Sequence, residues 1–101
     1  MPEDLFASGT WVVKAEEEGE FLAAWNEFAE WTKRNAPGAG WVVLLRDQEH
    51  MNRYVSIGPW DSAADIEAWR ASEGFRQRLS RLRGMVDDFE ATRYERVSGV
   101  E

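Results

Sequence analysis

A chain of 101 residues with a formal net charge of -7 is the size of one ordinary domain, and its acidic balance disfavours nucleic acid and anionic membrane surfaces as partners. It has no cysteine and a single histidine, His50, which removes disulfides, thiolate chemistry and any sulfur- or histidine-rich metal site. Hydrophobic residues make up 44% of the chain and six residues are tryptophan. One buried indole removes roughly 150–250 Å² from water, so six are more than one small core easily hides, and the surplus points to a pocket, an oligomer interface or both.

The opening Met1-Pro2-Glu3-Asp4 is acidic and has no cationic stretch leading into an apolar one. The longest apolar run, Trp41 to Leu45, is too short to span a bilayer, so a cytoplasmic protein is expected. Residues 1–8 read as a flexible leader and residues 9–101 as a single domain. A strand is predicted over Thr10–Ala15, where Trp11, Val12 and Val13 cluster. The acidic run Glu16–Glu20 suits a turn and a helix N-terminus and lacks the spacing of a calcium loop. A first helix follows over about residues 20–34, because Phe21, Trp25, Phe28 and Thr32 recur at helical spacing and make one apolar stripe. Asn35-Ala36-Pro37-Gly38 stops it.

The second strand is predicted over Gly40–Arg46. Trp41-Val42-Val43-Leu44-Leu45 does not alternate, which predicts burial on both faces. Asp47-Gln48-Glu49-His50 is a polar hairpin connection, where His50 is expected to be solvated rather than a general base. The third strand, Met51–Gly58, has Arg53, Val55 and Ile57 on one face. Its other face carries Asn52, Tyr54, Ser56 and Gly58, a polar-aromatic set that suits a cavity wall. After Trp60, Ser62-Ala63-Ala64-Asp65 has the form of a capping box, and the helix it starts buries Ile66 and Trp69. Another helix begins near Ser72 and aligns Phe75, Leu79 and Leu82. Arg76, Arg78, Arg81 and Arg83 flank that line and are expected to balance neighbouring carboxylates. Gly84 ends it, and a last strand over Met85–Val97 is assigned Phe89, Ala91, Tyr94 and Val97 as its inward residues.

Strand, helix, strand, strand, helix, strand is the split βαβ order of a ferredoxin-like α+β fold with an antiparallel sheet. Helices cover only one face of such a sheet. A second copy of the chain is the simplest cover for the other, so a homodimer closed into an α/β barrel is expected.

The Phe21…Trp25…Phe28 helix, Trp60-Asp61-Ser62 and Trp69-Arg70-Ala71-Ser72-Glu73-Gly74-Phe75, taken with the strand order, resemble the antibiotic biosynthesis monooxygenase family of dimeric α/β-barrel proteins. The resemblance covers roughly residues 9–97. It implies a monooxygenase that needs no cofactor and acts on a flat aromatic or polyketide-like molecule. Ser56, Trp60 and Ile66 stand where the family's phenol oxygenases have Asn, Trp and Tyr, so only the Trp matches. Val12, Trp69 and Leu79 stand where its haem-degrading members have Asn, Trp and His, and again only the Trp matches. Trp60 and Ser56 are the catalytic candidates. Trp60, Tyr54, Ser56, Trp41, Trp11 and Trp69 are the candidates for contact with a small aromatic ligand, and no metal site is expected. The alternative is a non-catalytic barrel that binds a small molecule or is purely structural, its hollow filled by Trp11, Trp41 and Trp60. Haem handling is a third reading.

Overall fold

The computed structural model describes residues 4–101. In chain order the elements are β1 (Leu5–Val13), α1 (Glu18–Asn35), β2 (Val43–Arg46), β3 (Arg53–Trp60), α2 (Ala63–Ala71), α3 (Glu73–Arg83) and β4 (Val86–Glu95). All four strands join one antiparallel sheet in the order β2-β3-β1-β4. This is the ferredoxin-like α+β arrangement that the element order predicts.

β1 is the centre of the sheet and starts earlier than its local composition suggests. Leu5 already pairs with Trp60 on one side and Glu95 on the other, so residues 5–8 belong to the strand and not to a leader; residues 1–3 of that expected leader lie outside the described residues. Leu5-Phe6-Ala7-Ser8-Gly9 has no β-branched residue to announce a strand. Pairing on both sides satisfies its backbone donors and acceptors all the same. β1 ends at Val13, and Glu16 turns the chain with φ 69°.

α1 buries Phe21, Ala24, Trp25, Phe28 and Thr32, the stripe its periodicity marks. Glu18 and Glu20 in its first turn and Lys33 and Arg34 in its last oppose the partial charges of the helix ends. Ser62 caps α2 by accepting from the Asp65 N–H at 3.1 Å. Ser72 both ends α2 and begins α3: its hydroxyl donates to the Trp69 carbonyl at 2.8 Å and accepts from the Phe75 N–H at 3.2 Å. The helices pack on the sheet face that carries Trp11, Val13 and Tyr54, where Phe21 and Leu82 are almost wholly buried; Ile66 of α2 is wholly buried too.

Within one chain the apolar second strand is open on the face that a second copy is expected to cover. It is short and lies at the sheet edge, and Trp41 and Leu45 are 56% and 54% exposed. Val43 pairs with Ile57 and Leu45 with Val55, so these four form an apolar strip on the face away from the helices. One expectation for the last strand is corrected: the inward set of β4 is only half right. Phe89 lies opposite Trp11 and Ala91 opposite Gly9, on the helix face, whereas Tyr94 lies opposite Phe6 on the outer face and is exposed. The register shift of β4 falls at Val12/Val13, before Phe89, so parity then holds along the rest of the strand. Val97 lies beyond the strand and is 88% exposed.

Candidate functional site

Between the helices and one end of the sheet lies an open cavity of about 80 Å³. One water occupies roughly 10–15 Å³ of such volume, so the space corresponds to roughly five to eight waters and suits one or two fused rings. Its floor is the sheet, where Gly9 of β1 and Ser56 and Gly58 of β3 line it. Its walls are aromatic, from Trp25 and Phe28 of α1, Trp69 of α2, Phe75 of α3 and Trp60 at the end of β3. These aromatics pack on one another. Trp60 and Trp69 lie 4.8 Å apart between ring centroids and tilted by 38°. Trp69 also stacks near-parallel on Phe28 at 5.7 Å and meets Phe75 edge-on at 4.6 Å.

Hydrogen bonds fix two of the polar points of this mostly apolar lining. The Trp69 indole N–H donates to the Thr32 hydroxyl at 3.0 Å, tying α2 to α1. The buried Ser56 hydroxyl accepts from the Trp11 indole at 3.1 Å and donates toward the Gly9 carbonyl at 3.4 Å. The second bond is long, so the Ser56 hydroxyl is anchored chiefly by Trp11 and keeps lone-pair capacity toward the cavity.

A close backbone approach closes the rim. A side chain on Gly58 would overlap the carbonyl oxygen of Trp41, so glycine lets the segment before β2 cross the sheet there. Gly40 N–H donates to the Pro59 carbonyl at 3.0 Å, and Ala39 bridges to Trp60. Together these hold residues 39–42 against the cavity. Gly38 precedes them with φ 88°, and a side chain there would strike Asp65 at the start of α2.

Five of the six ligand-contact candidates, Trp11, Trp41, Ser56, Trp60 and Trp69, line this one cavity. Tyr54 does not. It shares the strand face of Ser56, but its ring packs on Phe21 and its hydroxyl donates to Glu18 and accepts from Arg46 at 3.2 Å, with Arg46 in turn paired to Glu18. Burial, then the bond to Glu18, push the Tyr54 phenol above its ordinary pKa. The bond to Tyr54 raises the Arg46 guanidinium, with Glu18 adding to it. This triad faces a second hollow at the far end of the sheet, beside Val13, Met51 and Asn52.

Ile66 is buried, and Leu79 lines the aromatic cavity. His50 is exposed in the β2–β3 hairpin, where its backbone N–H caps Asp47 at 3.1 Å. Those caps from Glu49 and His50 lower the Asp47 carboxyl, helped by Arg53. Arg53 pairs with Asp47 at 3.1 Å, and Arg78 pairs with Glu27 at 3.0 Å, the carboxylate balance expected of it. Among the described residues no group of three or more His, Cys, Asp or Glu side chains is placed to hold a metal ion, and no helix is long and apolar enough to cross a membrane.

Sequence reasoning missed Arg70 and Lys33, which also line the cavity. Arg70 follows Trp69 directly. A helix turns about 100° per residue, so neighbours of a core aromatic are ordinarily read as solvent-facing, and nothing in the spacing marks this one.

The fold is thus a ferredoxin-like α+β sheet with an aromatic cavity between its helices and the end of its central strands. The family model described as antibiotic biosynthesis monooxygenase matches residues 5–79, most of the chain, and the protein belongs to that family. Among solved structures, SnoaB, a cofactor-independent oxygenase from Streptomyces nogalater, superposes with a TM-score of 0.86 at 21% identity over 97% of each chain. A mutant of the same protein gives 0.87 at 21% identity over 99% of this chain and 98% of that one. A conserved protein from Methanosarcina mazei gives 0.82 at 16% identity over 94% of each. At such identities the likeness is one of fold. No curated protein sequence matches significantly.

Proposed function

We propose that the protein is a monooxygenase of a flat aromatic or polyketide-like phenol, working as a homodimer and as one domain. The observation that carries this reading is the cavity itself, with its paired Trp60 and Trp69 indoles above a buried Ser56 hydroxyl. Family membership supports it, as does the likeness to an oxygenase described as cofactor-independent.

The chemistry suits an apolar slot. An electron-rich phenol ionises, and its carbanion-like carbon reacts with dioxygen. The carbon loses two hydrogens and gains one oxygen as a carbonyl, while the second oxygen leaves as water. The substrate supplies all the electrons. The protein's part is to orient the ring against Trp60, to donate the Ser56 O–H, turned from its long bond to the Gly9 carbonyl, to the substrate oxygen, and to exclude bulk water. The apolar strip of Val43, Leu45, Val55 and Ile57 supports the dimer, because a second copy would remove it from water.

The test is oxygen consumption with a panel of anthrone-like phenols. Wild type is expected to exceed the background rate, with Trp60→Phe and Ser56→Ala slower by about tenfold or more, the loss of one positioning contact of about 1.4 kcal/mol. Equal background rates in all three proteins refute the reading.

A further inference from the structure

We propose that Arg70 recognises a carboxylate on the ligand, so that the cavity selects flat aromatic acids over their neutral analogues. The proposal rests on the reading of the aromatic cavity as the ligand site and names the class of molecule it takes.

The first observation is one of charge. The chain has 19 acidic residues against 12 lysines and arginines, yet the charged residues lining this cavity are Lys33 and Arg70, both cationic. A lining drawn at random from this composition would more often include a carboxylate.

The second is the state of Arg70. Arg46 pairs with Glu18, Arg53 with Asp47, Arg78 with Glu27 and Arg93 with Glu67. Arg70 is half-buried, and among the described residues it makes no ion pair and no side-chain hydrogen bond. The charge that acts on it is Arg93, of the same sign. Burial, and then Arg93, lower its guanidinium from the ordinary value. Lys33 is partly engaged, donating to the Ala39 carbonyl at 3.2 Å. A guanidinium drawn partly out of water without a partner is a cost to the fold, and an arriving anion relieves it.

The third is shape. Arg70 follows Trp69 on α2, and both line the aromatic cavity that a flat ring would enter. A carboxylate conjugated to an aromatic ring stays close to the ring plane, so it reaches the rim without widening the slot. Its two oxygens match the parallel N–H groups of a guanidinium. Tetrahedral phosphate or sulfonate groups lack that planarity.

Calorimetric titration of 2-naphthoate and neutral, isosteric 2-naphthamide into wild type, Arg70→Gln and Arg70→Lys tests the proposal. Wild type should bind the carboxylate about tenfold or more tightly than the amide, the range expected for a charge-assisted pair. Arg70→Gln should bring the two probes within about twofold of each other by weakening the carboxylate far more than the amide, with Arg70→Lys intermediate. Wild type itself gives a second measurement, independent of any variant's folding: raising salt from about 20 to about 300 mM should weaken naphthoate binding and leave naphthamide binding unchanged. If naphthamide binds wild type as well as naphthoate does, or the carboxylate preference survives in Arg70→Gln, the role of Arg70 is overturned and the cavity stands as a ligand site. If neither probe binds wild type, both readings fall.

Discussion

The Trp69–Thr32 bond is the tie that holds the cavity wall, and its energy can be isolated. Trp69 reaches from α2 to α1, where its indole N–H meets the buried Thr32 hydroxyl at 3.0 Å. Replacing Trp69 with Phe removes this bond, about 1 kcal/mol net. It also removes the second ring, whose lost burial costs about 1 kcal/mol more at ~25 cal/mol per Å². Trp69→Phe should therefore destabilise by about 2 kcal/mol. Thr32→Val keeps the side-chain shape but leaves the indole N–H facing a methyl group, at about 1–2 kcal/mol for an unsatisfied, partly buried donor. In the double variant both partners are gone and only the packing loss remains. Its cost should fall short of the sum of the single variants by about 1 kcal/mol or more. Urea unfolding of the four proteins measures each value from its midpoint and slope. Additivity within about 0.3 kcal/mol would show that the two side chains are energetically independent and that the bond does not hold the wall.

Other consequences can be measured directly. Ser72→Ala removes the cap of α3 and the bond back to Trp69, so it should cost about 1–2 kcal/mol and lower the melting temperature by about 4–8 °C per kcal/mol; an unchanged melting temperature would refute the double role of this hydroxyl. The raised pKa of Tyr54 means that the unfolded chain releases this proton first. Stability from Tyr54 is thus fully present below its ordinary pKa of 10.0 and is lost as the pH rises from there through the higher folded value. The tyrosinate absorbance that Tyr54→Phe removes should appear above pH 10.0, and its appearance at that ordinary value would contradict the buried triad. Leu45→Glu places a charge in the apolar strip and should convert a homodimer to monomer in sedimentation. A wild type that is already monomeric, or a variant that remains dimeric, would count against that interface.

Where the sequence misled, the cause was a feature decided at a distance. Residues 5–8 look like loose chain because their strand character comes from two neighbours, β3 and β4, and not from their own side chains. The run Trp41–Leu45 is unusually apolar, and the cover expected for its second face is a second copy of the chain. An edge strand receives cover from helices on one face only, so Val43 and Leu45 stay open on the other. Tyr54 and Ser56 share a strand face, as alternation requires, yet two residues along a strand span about 6.6 Å. That distance is enough to put Ser56 in the cavity and the Tyr54 hydroxyl in a separate polar cluster.

The amino-acid pattern alone determined the element order, the α1 stripe, the two serine caps and the family resemblance, because helical periodicity and capping act over a few neighbouring residues. Only the tertiary structure decided that Trp69 and Thr32, 37 residues apart, meet, that Gly58 lets the Trp41 backbone cross the cavity rim, and that Arg70 borders the cavity with no counter-ion among the described residues. Each depends on where separate elements are brought in space, and spacing along the chain carries no record of that.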